Sequence, residues 1–234
     1  MYDCVVPTLP QMTPAMKFLR SARLLTGAAS LLIAGASPAS AQMGWTDWTT
    51  VSTDAVRGIM VVDGSPINVL FQGAVYFAQT SCGTNYWTNP SIYTGTGVST
   101  PPPDCEMIAL NAGGFKSITF SQAVVNPVIA LTSWNGQPPI TFNGPVEVVN
   151  QGRGYWGSGS LSASGNTLTA SGEAHGTIRL VGTYNEISFT DGDEGWHGLT
   201  VGAESSTVTP EPASLVLLAT GLAGVFGIAR RRKQ

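Results

Sequence analysis

The side chains that could do chemistry in this chain are few and scattered. Asp191, Asp193 and Glu194 stand around Gly192 and Gly195 in one short stretch. Such an oxygen-rich loop can accept Ca²⁺, although the twelve-residue ligand spacing and distal Glu of an EF-hand are missing. The alternative is a solvated hairpin loop. His175 and His197 are the only histidines, each beside a glycine and near a carboxylate, Glu173 and Glu194 respectively. They offer an acid–base pair or metal ligands, against the plainer reading of partly exposed residues at strand ends. Ser158 lies in Gly157-Ser158-Gly159-Ser160-Leu161, which misses the second glycine of a nucleophile elbow and lacks its strand–turn–helix setting. Glu147, Glu173 and Glu186 supply carboxyls for glycoside hydrolysis, but that chemistry needs a defined separation in space. No catalytic residue is assigned, no cofactor is expected beyond that weak Ca²⁺ candidate, and the chain reads as a non-enzyme.

Aromatic side chains are the stronger clue. Asn85-Tyr86-Trp87, Trp134-Asn135-Gly136 and Gly154-Tyr155-Trp156-Gly157 place large rings in Gly- and Asn-rich stretches. An exposed ring face can stack on the apolar C–H face of a sugar while nearby amides and acids bond its hydroxyls. Trp87, Trp134, Tyr155 and Trp156 are therefore the candidate glycan contacts. The competing reading is that these rings plug the ends of a β fold as core.

These groups must be positioned by the segment between residues 42 and 207. It is rich in Gly, Ser and Thr and poor in helix formers, an all-β profile. Short runs of strand type lie at Val56–Val62, Ile67–Phe71, Ala74–Gln79, Ser117–Ser121, Val125–Ser133, Ile140–Phe142 and Val146–Asn150. More follow at Leu161, Thr167–Ser171, Thr177–Gly182, Glu186–Thr190 and Leu199–Val201, with Gly182 to Asn185 as a hairpin link. About ten short strands with turns every 8 to 12 residues predict a β-sandwich of jelly-roll type. The segment holds four cations (Arg57, Lys116, Arg153, Arg179) against twelve carboxylates, a net charge near −8. That excludes nucleic acid as a partner, since phosphate binding needs clustered Lys and Arg.

Both extremities carry addresses. From Met16, a charged n-region (Lys17, Arg20, Arg23), an apolar core (Leu24 to Ala36) and Ala39-Ser40-Ala41 form a secretory signal peptide with its cleavage site at Ala39 and Ala41. The signal spans residues 16–41, and the mature chain begins near Gln42. Residues 1–15, including Cys4, read as an over-extended start. Export makes Cys82 and Cys105, the two cysteines of the mature segment, a disulfide pair rather than two free thiols. It would close a loop of about 24 residues, worth roughly 3 to 4 kcal/mol in the chain-entropy account.

At the other end, residues 208–234 read VTPEPASLVLLATGLAGVFGIARRRKQ. Pro210-Glu211-Pro212 resists helix and stays extended. Ala213 to Ala229 is an apolar run of roughly 25 Å as a helix, a candidate transmembrane span. Arg230, Arg231, Arg232 and Lys233 form a basic stop that remains on the cytoplasmic side. This triplet, span and basic stop resemble the PEP-CTERM sorting signal of exported bacterial proteins. The resemblance implies a membrane peptidase, exosortase, that recognises the triplet and cuts near it. The stretches FSQAVVNPVIAL (Phe120 to Leu131), GTI-x4-GT-x3-ISFT (Gly176 to Thr190) and WHGLTVG (Trp196 to Gly202) are similar to the β-sandwich bodies of many PEP-CTERM proteins.

The expectation is thus an exported, non-enzymatic surface or matrix protein over residues 42–207. It passes through the inner membrane, is processed by exosortase, and is associated by that resemblance with exopolysaccharide and biofilm. A carbohydrate-binding module using the loop aromatics is the second reading and a secreted glycan hydrolase the third.

Overall fold

The computed structural model describes residues 43–136 and 138–204. The signal peptide, its cleavage site and the sorting tail with its apolar span lie outside the described residues.

Within them the chain forms strands β1 (Met43–Trp45), β2 (Asp47–Val51), β3 (Ala55–Val62), β4 (Ser65–Gln72), β5 (Phe77–Thr80), β6 (Glu106–Leu110), β7 (Gly114–Val125) and β8 (Val128–Trp134). After these come β9 (Ile140–Phe142), β10 (Val146–Gln151), β11 (Ser160–Ser164), β12 (Thr167–Ser171), β13 (Ala174–Leu180), β14 (Thr183–Asp191) and β15 (His197–Glu204). One 3₁₀ turn (Pro90–Tyr93) is the sole helical element among the described residues. The strands form two antiparallel sheets. The first runs β10-β13-β8-β15-β6-β5 with β1 added on β15, and the second runs β11-β12-β9-β14-β7-β4-β3-β2. From β6 to β10 each successive strand changes sheet, so the chain stitches the two layers together. The expected all-β sandwich is the architecture observed.

Strand alternation builds the core. Val56, Met60, Ile67, Val69 and Phe71 point inward from β3 and β4, and meet Ile129, Leu131, Ile178, Leu199 and Val201 of the facing sheet. Their outward neighbours Arg57, Ile59 and Asn68 are exposed. The two-residue link Asp63-Gly64 has φ of 52° and 73°, the turn whose twist suits a tight hairpin. At Thr46 the chain crosses between layers: its N–H and hydroxyl both donate to Val201 O, after which β2 pairs with β3.

Some boundaries differ from the sequence expectation. The run Val125–Ser133 is two strands, because Asn126 turns through φ 49° and Pro127 offers no N–H to a ladder. The strand expected from Ala74 begins only at Phe77, and the link between β13 and β14 is shorter, at Val181-Gly182. Strands β1, β2 and β6 were not anticipated. β1 is only three residues long, β2 is short and mostly polar, and β6 opens on a carboxylate, Glu106.

The expected irregular loop between the cysteines is a packed flap. It leaves β5 and returns as β6, whose pairing runs from Phe77↔Ala109 to Thr80↔Glu106. Trp87, Ile92, Tyr93 and Val98 from the flap bury against Met107, Ala109, Val128 and Ala130 on the outer face of the first sheet. This second core explains why β6 and β8 are buried on both faces. A fully buried side chain of this size contributes about 1.5–3 kcal/mol, so the flap is held by its contents. Cys82 and Cys105 flank its base. Both are free thiols here. The Cys82 thiol bonds that of Cys105 and pushes the Cys105 pKa up.

Candidate functional site

One end of the sandwich carries a continuous set of six aromatic rings. β5 brings Phe77, with Tyr76 just ahead of it; the flap brings Tyr86. The loop after β10 brings Tyr155 and Trp156, and the residue before β15 is Trp196. Tyr86 lies at the centre, 5.1 Å between centroids from both Tyr155 and Trp196 and 6.5 Å from Phe77. Phe77 meets Tyr76 at 5.4 Å and Trp196 at 6.1 Å. Trp156 meets Tyr155 at 4.9 Å and Trp196 at 6.3 Å. The interplanar angles run from 47° to 76°, a mixture of tilted and edge-to-face contacts that fixes ring orientation. Tyr76 is 55% exposed and Trp156 54%. Phe77, Tyr86 and Trp196 are half-buried supports beneath them.

The loop presenting Tyr155 and Trp156 is glycine-rich for a steric reason. A Cβ on Gly154 would overlap the His175 ring, and one on Gly152 would lie 2.8 Å from Ile92 Cγ2. The backbone therefore lies flat on the body, while Gly154 N–H donates to Gly157 O at 2.8 Å and pinches the two rings outward. Asn89 Nδ2 donates to Arg153 O and ties the same loop to the flap.

Two of the four candidate glycan contacts are therefore corrected. Trp87 and Trp134 are buried, at 1% and 0% exposure. Trp87 packs edge-on against Tyr93 under the flap. Trp134 ends β8 inside the sandwich, where its indole donates to Gly198 O at 2.8 Å. Tyr155 and Trp156 are at the surface. Tyr76, Phe77 and Trp196 join them through strand pairing, a signal that sequence spacing does not carry.

Under this aromatic end sits a buried charged network. Lys116 Nζ donates to Asp191 Oδ1 at 2.7 Å, with side-chain exposures of 1% and 0%. Asp191 Oδ2 lies 3.1 Å from His197 Nε2, and Glu194 Oε2 lies 3.1 Å from His197 Nδ1. Burial disfavours the imidazolium, but hydrogen bonds and charge from Asp191 and Glu194 outweigh it and raise the His197 pKa. Asp193 accepts Gly113 N–H, and Glu194 accepts Asn135 N–H. The three carboxylates of the Ca²⁺ candidate are engaged within the fold: Asp191 and Glu194 share His197, and Asp193 turns instead to Gly113. Among the described residues no group of three His, Cys, Asp or Glu side chains is placed to hold a metal.

His175 is equally buried rather than at the surface. Its Nδ1 accepts Ser133 N–H at 3.2 Å, which assigns the ring proton to Nε2. Burial lowers its pKa, with the charge of Glu173 opposing. Glu173 accepts from Ser133 Oγ at 2.6 Å and from the Asn135 amide. Both histidines thus brace strand ends. Glu106 is held up to about 6 by burial, against a hydrogen bond from Trp48 N–H.

Glu204, the last described residue, lies at the opposite end. β1 pairs with the last residues of β15, Met43 facing Glu204, whereas Trp196 precedes the first. The eight residues of β15 separate the two ends by about 23 Å at roughly 3.3 Å per residue.

A family model for the PEP-CTERM protein-sorting motif matches residues 208–233. The chain carries this motif, which implies an exported protein with exosortase as its processing enzyme, sorted to the cell surface or outside. No curated protein and no solved structure matches the chain.

Proposed function

We propose that the body is a non-enzymatic surface or matrix protein that binds exopolysaccharide, as in a biofilm, through its aromatic end. The observation that carries this is the six-ring set gathered from four separate segments and placed about 23 Å from the tail exit. This placement puts the rings at the end of the body far from Glu204, after which the sorting tail follows in sequence. After processing the rings stay open to the surroundings. Exposed ring faces on a rigid base suit the apolar faces of pyranose units, because little side-chain freedom is lost on binding. The titratable groups nearby are tied into the fold, which favours binding over chemistry.

The test is retention of the processed protein on immobilised neutral and acidic polysaccharides, wild type against Trp156→Ala. Removing one exposed anchor ring costs about 1.4 kcal/mol or more, a tenfold loss of affinity. Equal retention of both proteins, or none of either on any polysaccharide, refutes the reading.

A further inference from the structure

The tail-side end of the sandwich has its own surface. It is built from the β3–β4 turn, the end of β7, the Val181-Gly182 link and the end of β15, with Met43 beside Glu204. Val61 is 55% exposed, Val125 59% and Val181 44%. Beside them a groove of about 260 Å³ is lined by Val62, Asp63, Ile67, Ala123, Val125 and Glu204. These exposed valines and the groove lie at the same end as Glu204, the last described residue.

Chain length decides what this surface must meet. Pro210 is the sixth residue after Glu204, so the sorting triplet begins at most about 22 Å from the end of β15, however the segment runs. Nine residues reach Ala213, where the apolar run begins, a limit of about 32 Å. A peptidase acting at the triplet from within the membrane cannot reach it without bringing its outer face up to this end of the folded body. We infer that the tail-side end, centred on Val61 and Val125, is the surface on which the body seats against the processing exosortase. A protein partner fits better than the bilayer, because Asp63 and Glu204 stand at the same end and an anionic lipid surface repels carboxylates.

The experiment follows tail processing of the full chain in its own host by pulse–chase and intact mass. Four chains are compared: wild type, V61E/V125E, wild type with twenty Gly/Ser residues inserted between Thr207 and Val208, and V61E/V125E with the same insert. The short tether forces the new charges into the contact, so V61E/V125E is expected to process at least fivefold slower. The insert lets the body stand off, and the doubly changed chain is expected to return to within twofold of the insert alone. Unchanged processing of V61E/V125E without the insert overturns the inference. So does a slowdown that the insert leaves in place, which would mark an export or folding defect. A parallel measurement uses vesicles of phosphatidylethanolamine and phosphatidylglycerol. If the processed wild-type body binds them and the V61E/V125E body does not, the surface belongs to the membrane and the inference also falls.

Discussion

Lys116 is the side chain whose loss tells most about how the aromatic end is held. Its ammonium is buried, bonded to Asp191 Oδ1 at 2.7 Å and to the carbonyls of Ala112 and Gly114 at 3.0 and 3.3 Å. Lys116→Met keeps the stem that passes over Gly73 but removes all three donors. Breaking a buried pair from one side costs about 3–5 kcal/mol, because the remaining charge is left in the interior. Asp191 keeps His197 as a partner, which argues for the lower figure, about 3 kcal/mol. For a body of this size that lowers Tm by about 6–12 °C. Urea unfolding followed by tryptophan fluorescence measures it directly, since Trp134 lies 4.6 Å from His197. Lys116→Met combined with Asp191→Asn removes both charges and recovers most of the loss. A single-variant loss under about 1 kcal/mol, or a double variant no better than the single, refutes the network as described.

Two further outcomes follow from the same region. The folded His197 pKa lies above its ordinary 6.5, so its contribution is complete below pH 6.5 and fades as pH rises through the folded value. His175 has the opposite sign: its lowered pKa costs stability as pH falls below 6.5. Denaturant midpoints between pH 5 and 8.5 for wild type and His197→Gln check this, the variant losing the decline on the alkaline side. Gly154→Ala forces a methyl into the His175 ring and costs about 1–3 kcal/mol. It also lifts Tyr155 and Trp156 from the body, so polysaccharide retention falls together with Tm. Retention and stability both at wild-type level would contradict the packing account.

The sandwich was legible because Ile187 and Phe189 of β14 alternate with Ser188 and Thr190, and because Val56, Met60, Ile67, Val69 and Phe71 of β3 and β4 fall on one face at strand period. The aromatic end was half legible. Tyr155 and Trp156 sit in a glycine loop and are exposed, while Trp134 has the same local grammar and is buried. The difference is that Trp134 is still in register on β8, a fact of strand pairing rather than of neighbours in sequence. Phe115 and Lys116 invert the usual rule: the phenyl is 65% exposed and the ammonium 1%. Only the position of Asp191 across β14 accounts for that, and the two are 75 residues apart. The flap was hidden for a related reason. Its buried Trp87, Ile92, Tyr93 and Val98 follow no helical or strand period, because they pack by loop geometry against a sheet face.

The account stands or falls on the body being a cargo trimmed at both ends and delivered outside. Intact mass of the protein from the surface or extracellular fraction tests this most directly. The account predicts a chain starting near Gln42 and ending near Pro210 to Pro212. An untrimmed chain recovered from the cytosol would contradict it.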